Sequence, residues 1–334
     1  PDDDPPPPAT PIPPTTPTPA TPLVEISTLA QLNAIGANAE SLRKNYKLMA
    51  DIGGVTTPIG SVSGALTGDF NGNGRTVTVN ITTGSTAFGG PLAGTYAGLF
   101  AGLGGTAHDL TVTGTVSITT SGSVYAGGVA VTAIGGGDVR AGGIVGGVQG
   151  AAVSHSHATG DIVAESTSTT GDIHVNVGGV VGAASGGMIN RVYATGSVSV
   201  TVNGPEGQAG GVMGDFYNSH SVSNAVALNP SVGITGSAPS QEVRRVISRS
   251  IGAGLMANIY GKADLMPTTA TQTSYTLNKG TNTVDGADVT VTGGPLPAAY
   301  TAPDESWWRG TGFSGADWTT VWRWDPATGL PALR

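Results

Sequence analysis

GVVGAASGGMINRVYATGSV, residues 179–198, decides the fold. It opens on Gly-apolar-apolar-Gly, turns at Ser-Gly-Gly, and continues through a second apolar/polar segment to Gly196. The alternating SVSVTV (197–202) follows. The same plan occurs in GLFAGLGGTAHDLTVTGTV (98–116), GIVGGVQGAAVSHSHATGDI (143–162) and GVMGDFYNSHSVSNAVALNP (211–230), once one residue is deleted in the first. The leading glycines, Gly98, Gly143, Gly179 and Gly211, are 45, 36 and 32 residues apart. The length differences fall between units, at 117–140, 163–176 and 199–208, where a solenoid places its loops.

Short strands and turns with no long helix between them predict an all-β chain folded as a parallel β-helix, whose coils stack at a strand spacing of roughly 4.8 Å. The pleat assigns faces. Leu110 and Val112, Ser156 and Ala158, Val192 and Ala194, and Ala225 and Ala227 should point inward. Asp109, His155, Arg191 and Asn224 should form an outward column, with Thr111, His157, Tyr193 and Val226 as its neighbour.

Composition agrees. Gly supplies 54 of 334 residues and charged residues only 11%, against roughly 7% and 25% in an average globular protein. A net charge of −8 argues against nucleic acid, which selects basic surfaces. No basic amphipathic stretch suits a membrane surface, and no apolar run approaches the roughly 18 residues of a membrane span. The absence of cysteine excludes disulfides, thiolate metal sites and Cys nucleophiles. Residues 1–22 carry 11 of the 22 prolines. Such a run favours an extended, partly PPII conformation and reads equally as a tether or as a disordered terminus; a lipid anchor upstream of Pro1 would suit the tether. Thr28 and Gln31 form a capping box ahead of Leu29, Leu32 and Ile35, predicting a short helix near 28–37. NYKLMADI (45–52) reads as a strand.

The repeats resemble the GLUG-repeat family of bacterial surface proteins, named for a Gly-Leu-Xaa-Gly core. The G-[LIV]-[FVM]-[GA] openings and the INRVYATGSV continuation carry the resemblance. It extends to ISTLAQLNAIG…NYKLMADI…PIG…GDFNGNGRTVTVNI at the start, to RVISRSIGAGLMANIYGKADLM, and to the closing WWRGTGFSGADWTTVWRWDPATGLPALR. The resemblance implies a right-handed, surface-displayed β-helix with no catalytic residues and no cofactor. It divides residues 23–334 into an N-terminal cap (23–66), coils (67–265) and a last coil with a Trp-rich cap (266–334). Ala101 departs from the pattern, standing where the first repeat should carry its second Gly.

Several residue groups invite a chemical reading. GDFNGNGR (68–75) starts as a calcium loop does, with Asp69, Asn71 and Asn73 at alternate positions and Gly74 after them. The twelfth position, however, is Asn80 rather than Glu, and the loop leads into alternating TVTVNI (76–81), so a tight turn is preferred. His155 and His157 lie two apart and could face a metal, with His174 reaching them only through folded-back loops; a solvated histidine ladder is the plainer reading. The acids Asp109, Asp161, Asp172, Glu206 and Asp215 show no pairing of the kind a polysaccharide-active enzyme needs. All five tryptophans, Trp307, Trp308, Trp318, Trp322 and Trp324, fall in one tail. They suit a cap over the last coil better than an exposed sugar platform. Arg244, Arg245 and Arg249 offer a basic face to an acidic partner, but a solvated loop is the plainer reading. Asn80-Ile81-Thr82 matches a glycosylation sequon that a bacterial origin would make accidental.

These readings lead to a non-enzymatic protein of the bacterial cell surface, extracellular and tethered, that adheres to a host or neighbouring-cell glycan or protein. The outward ladder of His155, His157, Arg191 and Tyr193 is its candidate ligand site. A structural or filament subunit that self-associates, and a polysaccharide-active enzyme, are the alternatives.

Overall fold

Each repeat folds as one coil, and the coils stack in parallel. The computed structural model describes residues 22–334 except 60–63, 83–84, 88–93, 120–123, 128–129, 136–138, 151, 169–173, 252–253, 271–275, 277, 279, 290–304 and 314–317. The expected tether over 1–22 therefore lies outside the described residues but for Pro22, as does Asp172.

One column of strand segments runs the length of the solenoid. Leu23–Ile26 pairs with Asn45–Leu48, then come residues 69–71, 106–108, 152–154, 188–190, 221–223 and 255–257, all parallel and in register. Further columns are built from 162–166, 198–202 and 232–235, from 174–178, 206–210 and 240–244, and from 145–149, 181–185, 213–217 and 247–251. The expected inward residues, from Leu110 to Ala227, are all buried. Ser156 is the polar exception, and its hydroxyl donates to Ser154 O at 2.7 Å, which removes the cost of burying it. TVTVNI alternates as expected, with Val77, Val79 and Ile81 buried.

The expected outward column holds a backbone feature that alternation could not reveal. Asp109, His155, Arg191 and Asn224 all have φ between 47° and 54°, and Asn73 and Asn258 extend the series with 52° and 55°. One residue per coil is thus left-handed at the same corner, where the parallel pairing skips it: Ser154 pairs with Asn190 and Ser156 with Val192. The conformation costs an ordinary L-residue about 1–2 kcal/mol and Asn less. Side chains compensate at one end of the column. Asn224 Nδ2 donates to Asn190 Oδ1 at 2.9 Å, and Asn258 Nδ2 to Asn224 Oδ1 at 3.0 Å.

Close backbone approach sets a second corner. A Cβ on Gly179 would lie 2.7 Å from Ala194 Cβ and would overlap Gly211 O, so the leading glycine of the repeat is there for space. In the last coil this position is Arg245, fully buried. Its guanidinium donates to Asp285 O, Gly286 O and Asp288 Oδ1 at 2.6–2.7 Å, and its N–H to Asp285 Oδ1 at 2.9 Å. The expectation of a solvated Arg loop is overturned. What stacks there is the segment 281–289 rather than another glycine-led repeat, so the position admits a side chain, and Arg245 ties residues 285–288 across the end. The opening of the first repeat, around Ala101, forms only isolated bridges, Ile59 to Phe100 and Leu66 to Leu103, and ladder pairing resumes at Thr106.

The other end is closed by the helix Leu29–Asn33, whose capping box is complete: Thr28 Oγ1 accepts from Gln31 N, and Gln31 Oε1 accepts from Thr28 N. Leu32, Ile35 and Leu42 are buried beneath it. No helix among the described residues is long and apolar enough to cross a membrane.

The corner column yields a stability prediction. Asn224→Ala removes both amide bonds of the ladder and a residue tolerant of positive φ, so it should lower unfolding stability by about 2 kcal/mol in urea titration. Ser199→Ala, on an exposed position, should cost less than about 0.5 kcal/mol.

Candidate functional site

The aromatic tail determines which flanks of the solenoid stay open. Trp308, Phe313, Trp318, Trp322, Leu330 and Leu333 bury themselves against Tyr193, Val226, Tyr260 and Val289. Tyr193, Val226 and Tyr260 are in-register neighbours on successive coils. The tail thus caps the flank along several coils as well as the last coil. Its far end reaches the first coils, where Gly74 lies so close to Arg334 O that a Cβ could not be added. The hairpin Trp322–Asp325 with Leu330–Leu333 gives the tail its own backbone bonds. Arg334 fastens it internally through Trp322 O at 3.0 Å, and Arg309 sits 4.6 Å from the Trp318 ring centroid.

The tail covers part of the expected ligand ladder. Tyr193 is 2% exposed and its hydroxyl donates to Pro331 O at 2.7 Å. The His157 ring stacks flat on it, 4.8 Å between centroids, with Nδ1 buried. Outward-pointing side chains here are covered, because a column of rings offers apolar area that the tail buries. Burial of its imidazole lowers the His157 pKa to about 4, and burial, then the charge of Asp325, raises that of Tyr193. Arg191 remains half-buried at its left-handed corner, its pKa lowered by burial.

His155 stays at the tail's border, 6.3 Å from the Trp322 ring centroid, and faces a polar cluster. Its Nδ1 lies 3.7 Å from Asp109 Oδ1. His108 lies between two carboxylates, with Nδ1 2.8 Å from Asp109 Oδ2 and Nε2 3.2 Å from Asp69 Oδ2. Partial burial alone would lower its pKa, but the hydrogen bond and charge of Asp109 and the charge of Asp69 together raise it. Sequence reasoning missed His108, although it directly precedes Asp109 and the stacking register sets it one coil from Asn71. Ser154 stands one coil further on. With both ring nitrogens of His108 on carboxylates, neither is directed at that hydroxyl as a serine nucleophile requires.

GDFNGNGR is a corner rather than a calcium loop in this geometry. Asn71 Oδ1 accepts from Asn73 N at 2.7 Å, Asn73 Nδ2 donates to Leu48 O at 2.9 Å, and Asp69 is engaged by His108. The three side chains expected to converge are thus engaged with different partners. Among the described residues, no group of three His, Asp or Glu side chains could hold a metal ion.

A second polar cluster joins residues that had shown no pairing in sequence. Arg249 binds Glu206 Oε1 at 2.5 Å and Asp215 Oδ2 at 2.8 Å, with Asp215 fully buried. His174 Nδ1 meets Glu206 Oε2 at 2.8 Å, so His174 belongs here and not with His155 and His157. Gln208 Nε2 also donates to Glu206, at 2.8 Å. The convergence arises because strand 206–210 turns through Gly210 and Gly211 into strand 213–217, and Arg249 lies one coil beyond Asp215.

One flank is left with outward side chains that are short and almost uncharged. Val163 stacks on Ser199, and Glu165 on Thr201. Ser199 in turn meets Gly233, which meets Thr268, while Thr201 meets Thr235. Thr115 and Ser117 lie toward the same flank in the earlier coils. Ser117, Val163, Ser199, Thr235 and Thr268 are exposed. Hydroxyls ladder between coils: Thr201 with Thr235 at 3.1 Å, and Thr115 to Asn80 Oδ1 at 3.3 Å.

The two histidines should tilt the pH dependence of stability in opposite directions. His157 has a folded pKa depressed below 6.5, so its unfolded form takes up the proton first. Stability should fall as pH drops from about 6.5 to about 4, and His157→Phe should flatten that limb of a thermal-melting pH series. For His108 the folded pKa is raised, so its contribution is complete below about 6.5 and is lost as pH rises through the folded value. His108→Asn should flatten that limb instead. Gly74→Ala should displace the C-terminal residue and lower the melting temperature, read by calorimetry, although the tail's sequence is untouched.

No family model matches the chain, and no curated protein matches it. A solved structure from Bacteroides ovatus, described as a "putative immunoglobulin A1 protease", is similar over 93% of this chain and 91% of its own, with a TM-score of 0.57 and 16% identity. At that identity the likeness shows the fold alone.

Proposed function

We propose that this protein is a non-enzymatic binding module of the bacterial cell surface, extracellular and held on a Pro-rich tether, that displays a repetitive β-helix flank to glycan or protein ligands. The observation that carries the reading is the division of the flanks: the tail covers the ring column, while the hydroxyl-lined flank of Ser199, Thr201 and Thr235 stays open coil after coil. A flat flank that repeats similar chemistry at each coil lets weak contacts act together through avidity. The GLUG-type motifs support the surface assignment, and the proline content of residues 1–22 supports the tether.

A hydrolytic reading draws on the name of the Bacteroides ovatus neighbour and on the meeting of Glu206 with Asp215. It is the weaker reading because both carboxylates are already held by one arginine, and Asp215 has no exposed surface. A filament subunit would use the coil ends, but both are closed, by the helix Leu29–Asn33 and by residues 285–288.

Beads coated with the full chain at graded density test the proposal on immobilised glycans, matrix proteins and whole cells. Retention should rise more steeply than linearly with density. Absence of retention on every surface at the highest density would overturn it, as would release of reducing ends or cleaved peptide by the purified chain.

A further inference from the structure

We infer that the ligand of the open flank is an uncharged glycan, bound across successive coils by the columns that include Thr115, Ser117, Val163, Ser199, Thr201 and Thr235. The inference rests on the binding-module reading and narrows it to one ligand class and one surface.

Charge is the first ground. The charged residues among the described outward positions of this flank are Asp161, next to the strand 162–166, and Glu165 within it, both acidic. The chain as a whole carries −8. A polyanion such as a uronate or sulfated polymer would meet like charge with no cation to pair with, and its approach is disfavoured. Acidic groups also select against nucleic acid.

The second ground is what the side chains offer. A hydroxyl both donates and accepts, so a row of Ser and Thr matches a ligand that is itself a row of hydroxyls. Thr is β-branched and restricted at χ1. Thr235 Oγ1 donates to Val200 O at 3.2 Å and lies 3.1 Å from Thr201 Oγ1, which orders both side chains and leaves the Thr201 oxygen as an outward acceptor for a sugar hydroxyl. Side chains already ordered lose little entropy on binding, which is how a shallow surface gains affinity. Val163, 41% exposed in the same column as Ser199, adds an apolar patch for the C–H face of a sugar ring.

The third ground is the shape of the flank. Among the described residues it lacks the exposed aromatic anchors of a protein–protein hot spot: the tryptophans and Tyr193 are committed to the other flank. A flat, hydroxylated, anchor-free surface suits a long polymer touching many coils better than a folded partner touching one.

The test uses the full chain on an array of neutral glycans, anionic glycans and matrix proteins, followed by titration of the best neutral polymer by isothermal calorimetry. Neutral glycans should bind, with affinity nearly unchanged between about 0.05 and 0.5 M salt because no ion pairs are formed. Thr201→Glu and Ser199→Glu, each shown to keep its melting temperature, should weaken binding at least tenfold, while Met188→Glu, exposed in the separate column of 152–154, 188–190 and 221–223, should leave it unchanged. If a Glu variant fails to fold, Thr201→Ala with Ser199→Ala serves, with an expected loss of about fivefold from two hydrogen bonds. Binding confined to anionic glycans or proteins, or neutral binding indifferent to these variants, would overturn the inference and leave the binding-module reading standing. Binding to nothing on the array would remove both.

Discussion

Parallel pairing of each coil with the next is the constraint on which the rest of this structure depends. A parallel ladder fixes register, so whatever stands at one position has the same position of the neighbouring coil about 4.8 Å above and below it. Environments are therefore set by columns. An inward column stays buried throughout, as with Val192, Ala225 and Ile259, and its polar member Ser156 bonds to Ser154 O. The corner column must accept a left-handed backbone in every coil. Its members change from Asn73 to Asp109, His155, Arg191, Asn224 and Asn258 because the side chain there points away from the core, where chemistry is free to vary while φ is not.

The same constraint explains the polar clusters. His108 meets Asp69 and Asp109 because register carries strand 69–71 alongside 106–108. Arg249 meets Asp215 because they are direct register partners. These ion pairs lock one coil to the next and oppose slippage along a solenoid whose backbone bonds would tolerate it. They are poor candidates for catalysis for the same reason: each charge is already answered by a neighbour. The aromatic tail adds longer-range closure by spanning from Tyr260 in the last coils to Gly74 in the first. Its ring packing, with Tyr193 and Trp308 5.6 Å apart, is worth about 0.5–1.5 kcal/mol per pair beyond area burial.

The repeats alone were enough to read the β-helix, the inward faces and the corner at GDFNGNGR, since each is local or periodic: Val77, Val79 and Ile81 alternate, and Asn-Gly supplies positive φ. The capping box of Thr28 and Gln31 was equally legible, because its partners lie three residues apart. Ligand access was not legible. His157 and Tyr193 point outward, as the pleat requires, but whether an outward side chain meets water depends on a segment more than 100 residues further along the chain, as the bond from Tyr193 to Pro331 shows.

Sequence by itself therefore determined the strand period, the turns, the stacking and the identity of the columns, all of which follow from backbone geometry acting over a few residues or one repeat. Tertiary structure decided which columns are covered. It placed Tyr193 under the tail with His157 stacked against it, set Arg245 in a glycine's place at the end of the stack, and left the Ser/Thr flank open. The physical reason is that burial of a face is settled by what packs across it, and the apolar area of five tryptophans is committed only when the chain returns along the finished solenoid.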